Sequence, residues 1–357
     1  MKTPPIRVLV VDDSAFNRKV ISEMLASEAP RIQVAGTAYD GQVAIRRILD
    51  LKPDVVTLDL EMPVMDGFST LRWIQANRPT PVIVVSSHAS DANVFKALDM
   101  GAVDFIAKPT RRASQELKDI REDLVAKVCA AVNAHLAGPV SKPAPPPPPK
   151  PVELEELPPA WDADVVLVGS STGGPTVLQK IFSAFPKNLP VSVLVAQHMP
   201  PLFTTLFADR LNRSCAIRVR EAVDGEPIQS GYAYIAPGGF QMTVAPRPSE
   251  REPFQLHVSP RGVNDRFAPS INLLFQSAAQ VFGMNRRMLG VVLTGMGGDG
   301  REGAAALRKA GGQTLVESPE TATLATMPEE LIKANLADAV CATEALPSEI
   351  LRRCRRS

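Results

Sequence analysis

Short runs of apolar and β-branched residues alternate along most of the chain with stretches whose apolar positions recur every three or four residues. In the first third the runs are IRVLVV, DVVTLDL, PVIVVS and VDFIAK, separated by helical stretches such as 16–27 and 41–49. Runs that are apolar throughout predict strands covered on both faces, and the strand–helix repetition predicts a parallel sheet. The second half repeats the pattern with DVVLVG, VSVLVAQ, LGVVLTG and QTLVE. In its helix at 175–185, Val177, Leu178, Ile181, Phe182 and Phe185 form one apolar stripe. Between 217 and 260 the runs GYAYIAPGGFQMTV and PFQLHVSP are broken by turns and predict an antiparallel excursion on the second sheet. The expected fold class is α/β, with two doubly wound parallel-sheet domains.

Proline marks where they divide. It occurs 33 times, about 9% of the chain against a background near 5%. Ten of these prolines lie within 139–159, five of them in the unbroken run 145–149. With φ fixed and backbone donors missing, this stretch forms neither helix nor sheet. It is expected to be a stiff polyproline-II spacer rising ~3 Å per residue, with a ligand for a proline-binding module as the alternative. The expected domains are 1–130 and 161–357, joined by a Pro-rich linker at 131–160. A chain of 357 residues, at ~150 per domain, agrees with two.

Charge and cysteine remove several function classes. Lys plus Arg number 39 and Asp plus Glu 38, and neither half has the basic excess that a non-specific nucleic-acid binder needs. The cysteines Cys129, Cys215, Cys341 and Cys354 are scattered, with no C-x-x-C to suggest a zinc knuckle or a disulfide framework. No signal peptide is apparent, nor any run of the ~20 apolar residues that a membrane span requires. The expectation is a cytoplasmic protein that is not membrane-embedded and has no nucleic-acid partner.

In open α/β sheets, reactive groups collect at the carboxyl ends of the strands. In the first domain Asp12 and Asp13, Asp59, Ser86 and Lys108 each follow a predicted strand. Three carboxylates at adjoining strand ends repel unless a cation sits among them, and oxygen-only ligands suit Mg²⁺. Lys108 can balance charge on a phosphoryl group and Ser86 can donate a hydrogen bond to it. The set therefore fits an aspartate that accepts a phosphoryl group beside Mg²⁺. Taken singly, Asp13 could be an ordinary helix N-cap.

In the second domain DVVLVG runs into Gly169-Ser-Ser-Thr-Gly-Gly174, a tight strand-to-helix turn that exposes a serine near a positive helix end. A glycine-rich turn binding phosphate is the plain alternative. No Lys-Ser/Thr follows Gly174 to make a Walker A loop, and G-x-G-x-x-G does not occur. A nucleophilic serine needs a base. Of the four histidines, His88 and His135 precede this domain, and His257 lies in the alternating PFQLHV with its face expected toward solvent. His198 follows the strand VSVLVAQ and is the candidate base. Asp299, after LGVVLTG in Gly295-Met-Gly-Gly-Asp-Gly300, is the candidate orienting acid, or else the N-cap of the helix at 301–310. The glycines around it leave N–H groups free to face an oxyanion. The order serine, histidine, acid departs from the α/β-hydrolase order, in which histidine comes last.

Residues 1–125 resemble a response-regulator receiver domain in the acid pair, the Asp59-Leu-Glu-Met-Pro-Val-Met-Asp-Gly67 segment, the hydroxyl at Ser86 and Lys108-Pro109. The resemblance implies a flavodoxin-like fold and Asp59 as phospho-acceptor, with Asp12, Asp13, Asp59 and the Glu61 backbone carbonyl around Mg²⁺. It also implies that Ser86 and Phe105 are the switch positions. GSSTGG, QHMPP and TGMGGDG, in that order behind a receiver, resemble the chemotaxis protein-glutamate methylesterase family (CheB type). That resemblance implies a Rossmann-like domain with Ser171 as nucleophile, His198 as base, Asp299 as orienting acid, Thr172 beside the nucleophile and the Met296 N–H in the oxyanion site. It implies hydrolysis of glutamate γ-methyl esters on methyl-accepting chemotaxis receptors, receptor glutamine deamidation, a chemotaxis histidine kinase as phosphodonor, and no metal for the ester chemistry. The segment from Arg261 to Ser270, RGVNDRFAPS, departs from the family's Asn-Arg-His-Arg-Pro-Ser run by lacking its histidine and one arginine. Two other readings are a receiver-controlled esterase or amidase for another protein or a small ester, and a response regulator that acts only by binding.

Overall fold

The computed structural model describes residues 4–86, 91–108, 114–136, 163–248, 253–285 and 287–354. The proline segment, His88 and Pro109 lie outside them. The chain forms two compact units, Met1–Pro139 and Val140–Ser357.

In the first unit, β1 (Ile6–Val11), β2 (Ile32–Ala38), β3 (Val55–Asp59), β4 (Val82–Ser86) and β5 (Asp104–Ala107) form a sheet in the order β2-β1-β3-β4-β5. Every pairing is parallel. Every residue of β3 and β4 is buried, as their unbroken apolar runs require. The intervening helices are α1 (Ala15–Ala26), α2 (Gly41–Leu51), α3 (Gly67–Asn77), α4 (Asp91–Asp99) and α5 (Ser114–Leu136). Ser14, Asp40 and Asp66 cap α1, α2 and α3, each accepting a hydrogen bond from the backbone N–H three residues on. Asp13, the other cap candidate, therefore caps nothing. Helix α5 continues to Leu136, past the residue 130 at which the composition suggested the domain would end. Strand order reverses between β1 and β3, which puts the crevice at the ends carrying Asp12 and Asp59.

The strands of the second unit are β6 (Val165–Ser170), β7 (Ser192–Gln197), β8 (Arg218–Glu221), β9 (Tyr232–Ile235), β10 (Phe240–Pro246), β11 (Phe254–Pro260), β12 (Met288–Val292), β13 (Gln313–Glu317) and β14 (Ala339–Cys341). Its helices are α6 (Gly174–Ser183), α7 (Phe203–Ser214), α8 (Ile271–Phe282), α9 (Arg301–Lys309), α10 (Thr326–Lys333) and α11 (Leu346–Arg353). The main sheet runs β14-β13-β12-β6-β7-β9-β8, parallel throughout. Among the described residues, β10 and β11 are the strands that pair antiparallel, as a separate hairpin. The antiparallel excursion is thus that hairpin plus an isolated bridge from Pro227 to Gln255 of β11, while β8 and β9 extend the parallel sheet.

Helix α8 explains why the hairpin exists. Its buried residues Ile271, Leu274, Phe275, Ala278 and Phe282 share one core with Met242, Val244 and Leu256 of the hairpin and with Val165, Leu167 and Val292 of the sheet. A helix this apolar needs cover on two sides, and the sheet and hairpin supply it. Truncating Phe275 to alanine would cost about 3–5 kcal/mol. This sandwiching fixes the first turn of α8 beside the ends of β6 and β12.

Candidate active site

At the ends of β1 and β3, Asp12, Asp13 and Asp59 each turn a carboxylate oxygen to within 4.8 Å of the others. Asp12 and Asp59 are buried and Asp13 is exposed. Lys108 Nζ lies 2.6 Å from Asp59 Oδ2 and 3.5 Å from Asp12 Oδ2. Burial, against the pull of Lys108, raises the carboxyl of Asp12, and burial together with the Asp12 charge lifts that of Asp59 to about 6. Burial disfavours the Lys108 cation, but Asp59 and Asp12 outweigh it and keep that amine well charged. An oxygen-only donor set under mutual repulsion suits a small hard dication, so the residues present fit Mg²⁺.

The chain leaves Asp59 by doubling back on it. A Cβ on Gly67 would lie 2.2 Å from the Asp59 carbonyl oxygen, and the Glu61 N–H donates to Asp59 Oδ1 at 3.2 Å. Ser86 is buried at the end of β4, and its carbonyl accepts the Lys108 N–H at 2.7 Å. Phe105 is buried edge-on to Phe95, with its carbonyl accepting from the buried Lys127 Nζ at 2.6 Å.

In the second unit three neighbouring strands, β12, β6 and β7, end at one place. Ser171, partly buried, follows β6 and donates its N–H to the Thr294 carbonyl beyond β12 at 3.0 Å. Its own carbonyl accepts the Gly174 N–H at 2.9 Å, closing the turn into α6. Gly173 holds φ +80, and a Cβ there would strike Thr323 at 2.6 Å, so only glycine fits. The buried Gln197 side chain clasps this turn to the end of β7. Its Nε2 donates to the carbonyls of Ser171 and His198, both at 2.9 Å, and its Oε1 accepts from Ser170 Oγ.

His198 begins the loop after β7, its N–H donating to the Ser170 carbonyl at 2.9 Å, and its Nε2 lies 2.8 Å from Asp299 Oδ2. Asp299 does not cap α9, whose N-cap is Gly300. Instead its carboxylate sits on the first turn of α8, accepting the N–H groups of Ile271 at 2.8 Å and Asn272 at 2.9 Å and the Ser270 hydroxyl at 3.1 Å. Burial would raise this carboxyl, but the His198 hydrogen bond and charge and the two N–H groups outweigh it and hold it below the ordinary value. Asp299 is therefore a carboxylate, an acceptor only, so His198 Nε2 is the donor in this contact and Nδ1 is the ring nitrogen left for another partner. The structure joins His198 and Asp299 directly, while the Ser171 hydroxyl is hydrogen-bonded to neither.

The Met296 N–H donates to no group among the described residues, and Thr172 is buried, its carbonyl accepting the Thr294 hydroxyl at 3.0 Å. His257 is exposed on β11, paired with Asp224 at 2.9 Å, as its place in the alternation predicts. It is His198, not His257, that meets Asp299.

Several contributors escaped the motifs. Asn272 Oδ1 accepts the N–H groups of Gly300 and Gly303, and the buried Glu317 accepts the Thr294 N–H at 2.7 Å and the Thr343 hydroxyl. Burial pushes the Glu317 carboxyl up. The Phe267 ring lies on the His198 imidazole, centroids 4.4 Å apart and planes within 5°. Ser270, the N-cap of α8, had a local signal in the apolar run that follows it; the others reach across the fold.

Residues 166–350 match the CheB methylesterase family model, and residues 8–120 match that of the response regulator receiver domain. A protein-glutamate methylesterase/protein-glutamine glutaminase of Geobacter sulfurreducens is 45% identical, the match covering 98% of this chain and 97% of the relative. One from Myxococcus xanthus is 47% identical over 92% and 91%. Among solved structures, the Thermotoga maritima CheB methylesterase catalytic domain matches with a TM-score of 0.50 and 33% identity, covering 53% of this chain and 98% of that one.

Proposed function

This chain belongs to the CheB methylesterase family, and from that premise we propose that Ser171, His198 and Asp299 perform its chemistry. It is a phosphorylation-regulated protein-glutamate methylesterase and protein-glutamine glutaminase. The observation that carries the assignment of residues is the His198–Asp299 contact at the mouth of the Ser171 turn.

With Nε2–H held by Asp299, Nδ1 takes the proton from Ser171 Oγ as that oxygen bonds to the carbonyl carbon of a glutamate γ-methyl ester. The carbonyl oxygen becomes an oxyanion facing the Met296 N–H, with the N-terminus of α6 behind the serine. Collapse breaks the bond to methoxide, which leaves as methanol with the imidazolium proton. Water, deprotonated by the same nitrogen, then releases the glutamyl group from Ser171. At glutamine the same steps expel ammonia. A hydrogen bond between serine and base commonly forms only with substrate in place.

In the receiver, Asp59 accepts the phosphoryl group, and Asp12, Asp13, Asp59 and the Glu61 carbonyl would hold Mg²⁺. Mg²⁺ there would neutralise charge on the phosphoryl oxygens. Lys108 and Ser86 complete the phosphate contacts, and Phe105 responds with Ser86. The substrates are methylated chemotaxis receptors, and the phosphodonor is their histidine kinase. The domains are read as ending with α5 and beginning at β6, joined by the proline segment. No described helix is long and apolar enough to cross a membrane.

The test is methanol release from methylated receptor membranes, with and without a phosphodonor. Ser171→Ala abolishes it, and Asp59→Asn abolishes the stimulation. Near-normal turnover by Ser171→Ala would refute the assignment.

A further inference from the structure

We infer that Phe267 is a positioning residue for this hydrolysis, setting the plane of the catalytic imidazole from a segment in which the chain departs from its family's usual run; the inference rests on His198 being the base. One hydrogen bond, Nε2 to Asp299 Oδ2, fixes one edge of the ring but leaves it free to tilt about that bond. The second restraint is the Phe267 face, parallel to the imidazole within 5° at a centroid separation of 4.4 Å. Edge and face together leave one orientation, and they fix where the Nδ1 lone pair points.

Phe267 is itself firmly seated. Its carbonyl accepts from Gln241 Nε2 at 2.7 Å, and the same nitrogen reaches Asp265 Oδ2 at 2.9 Å. Gln241 Oε1 accepts the Ser270 N–H at 2.8 Å, so one buried amide on β10 holds the segment on both sides of the ring. Three residues on from Phe267, Ser270 donates to Asp299, so the segment that positions the imidazole also supports its acid. A Cβ on Gly297 would just touch Phe267 Cζ at 4.0 Å, which places the ring against the glycine loop, and the Arg266 guanidinium lies 5.2 Å from its centroid.

The stack also has a differential effect. When Nδ1 takes the serine proton, the imidazole becomes a cation, and an aromatic face attracts a cation more than a neutral ring. The gain appears as the transition state is approached, so it belongs to kcat rather than to substrate binding.

The experiment compares Phe267→Leu, which keeps bulk and loses the flat ring, with Phe267→Tyr, which keeps both, in the full-length chain with phosphodonor and methylated receptor membranes. The leucine variant is expected to lose about tenfold in kcat with KM within about twofold, and the tyrosine variant to keep most of its turnover. In parallel, the ring protons of His198 in histidine-labelled protein should resonate upfield in the wild type and in Phe267→Tyr and return downfield in Phe267→Leu. The exposed His257 serves as an unshifted reference that also reports folding. Wild-type kcat in a folded Phe267→Leu, or a His198 signal indifferent to the substitution, overturns the inference. Should the wild-type protein release no methanol at all, the esterase reading fails, and the ring-current shift still decides the stack.

Discussion

Asp299 and Asn272 cap each other's helices. The Asp299 carboxylate accepts the N–H groups of Ile271 and Asn272 at the start of α8, and Asn272 Oδ1 accepts those of Gly300 and Gly303 at the start of α9, at 2.9 and 2.8 Å. Asp299 is thereby fixed twice, through its side chain and through the peptide that follows it. Asn272→Ala leaves two N–H groups without their acceptor and should cost about 1–2 kcal/mol, a typical cap loss. Denaturant unfolding measures that cost. Turnover should also fall several-fold, although Asn272 is given no contact with the substrate.

Asp299→Asn replaces an acceptor-only group by one that can also donate, which removes the reason for Nε2 to carry the hydrogen. A fall in kcat of about four orders of magnitude is expected, in line with the acid-to-amide change in other such triads. The Asp299 carboxyl is depressed in the folded state, so its stabilisation is present above the unfolded value near 3.8 and is lost as pH falls through the folded one. The stability gap between wild type and Asp299→Asn should accordingly be full at pH 7 and close below about pH 4.

Gly295→Ala tests the closeness of the nucleophile turn. The added Cβ would lie 2.7 Å from Ser171 Cβ and 2.2 Å from Met327 Sδ. The thioether can shift, but the Ser171 backbone is held by Thr294 and Gln197. Methanol release should fall at least tenfold, with a stability loss of about 1–3 kcal/mol for overpacking. Turnover close to wild type would mean the serine has more latitude than these contacts allow.

Metal binding to the receiver should follow the ionisation of Asp59. Its carboxyl sits near 6, because burial and Asp12 raise it more than Lys108 lowers it. Protons and Mg²⁺ compete for the same oxygens, so apparent Mg²⁺ affinity should rise about tenfold between pH 5 and pH 7. Titrations of Mg²⁺ at those two pH values decide it. Asp59→Asn should flatten the profile.

The strand ends were legible in the sequence because a fully buried parallel strand is an unbroken apolar run, and the first polar residue after it marks the rim. Asp12, Asp59, Ser171, His198 and Asp299 read as lying at or beyond strand ends, and the structure places each at the end of a strand or in the loop that follows one. What the local pattern could not carry was partnership over distance. Asp299 reads locally as the cap of the helix that follows it, yet it meets a helix that begins 28 residues earlier. Phe267 lies in a loop with no period of its own, and its seat is Gln241, a glutamine on β10. The parallel pairing of β8 and β9 was missed for a similar reason: turns look alike whichever way the next strand is laid.

The imidazole and the carboxylate that orients it are 101 positions apart in the chain. During synthesis on the ribosome, Ser171 and His198 emerge well before Asp299. A nascent or prematurely stopped chain can therefore carry Ser171 and His198 without the carboxylate that meets the imidazole. That contact can form only once Asp299, in the last third of the polypeptide, has been made.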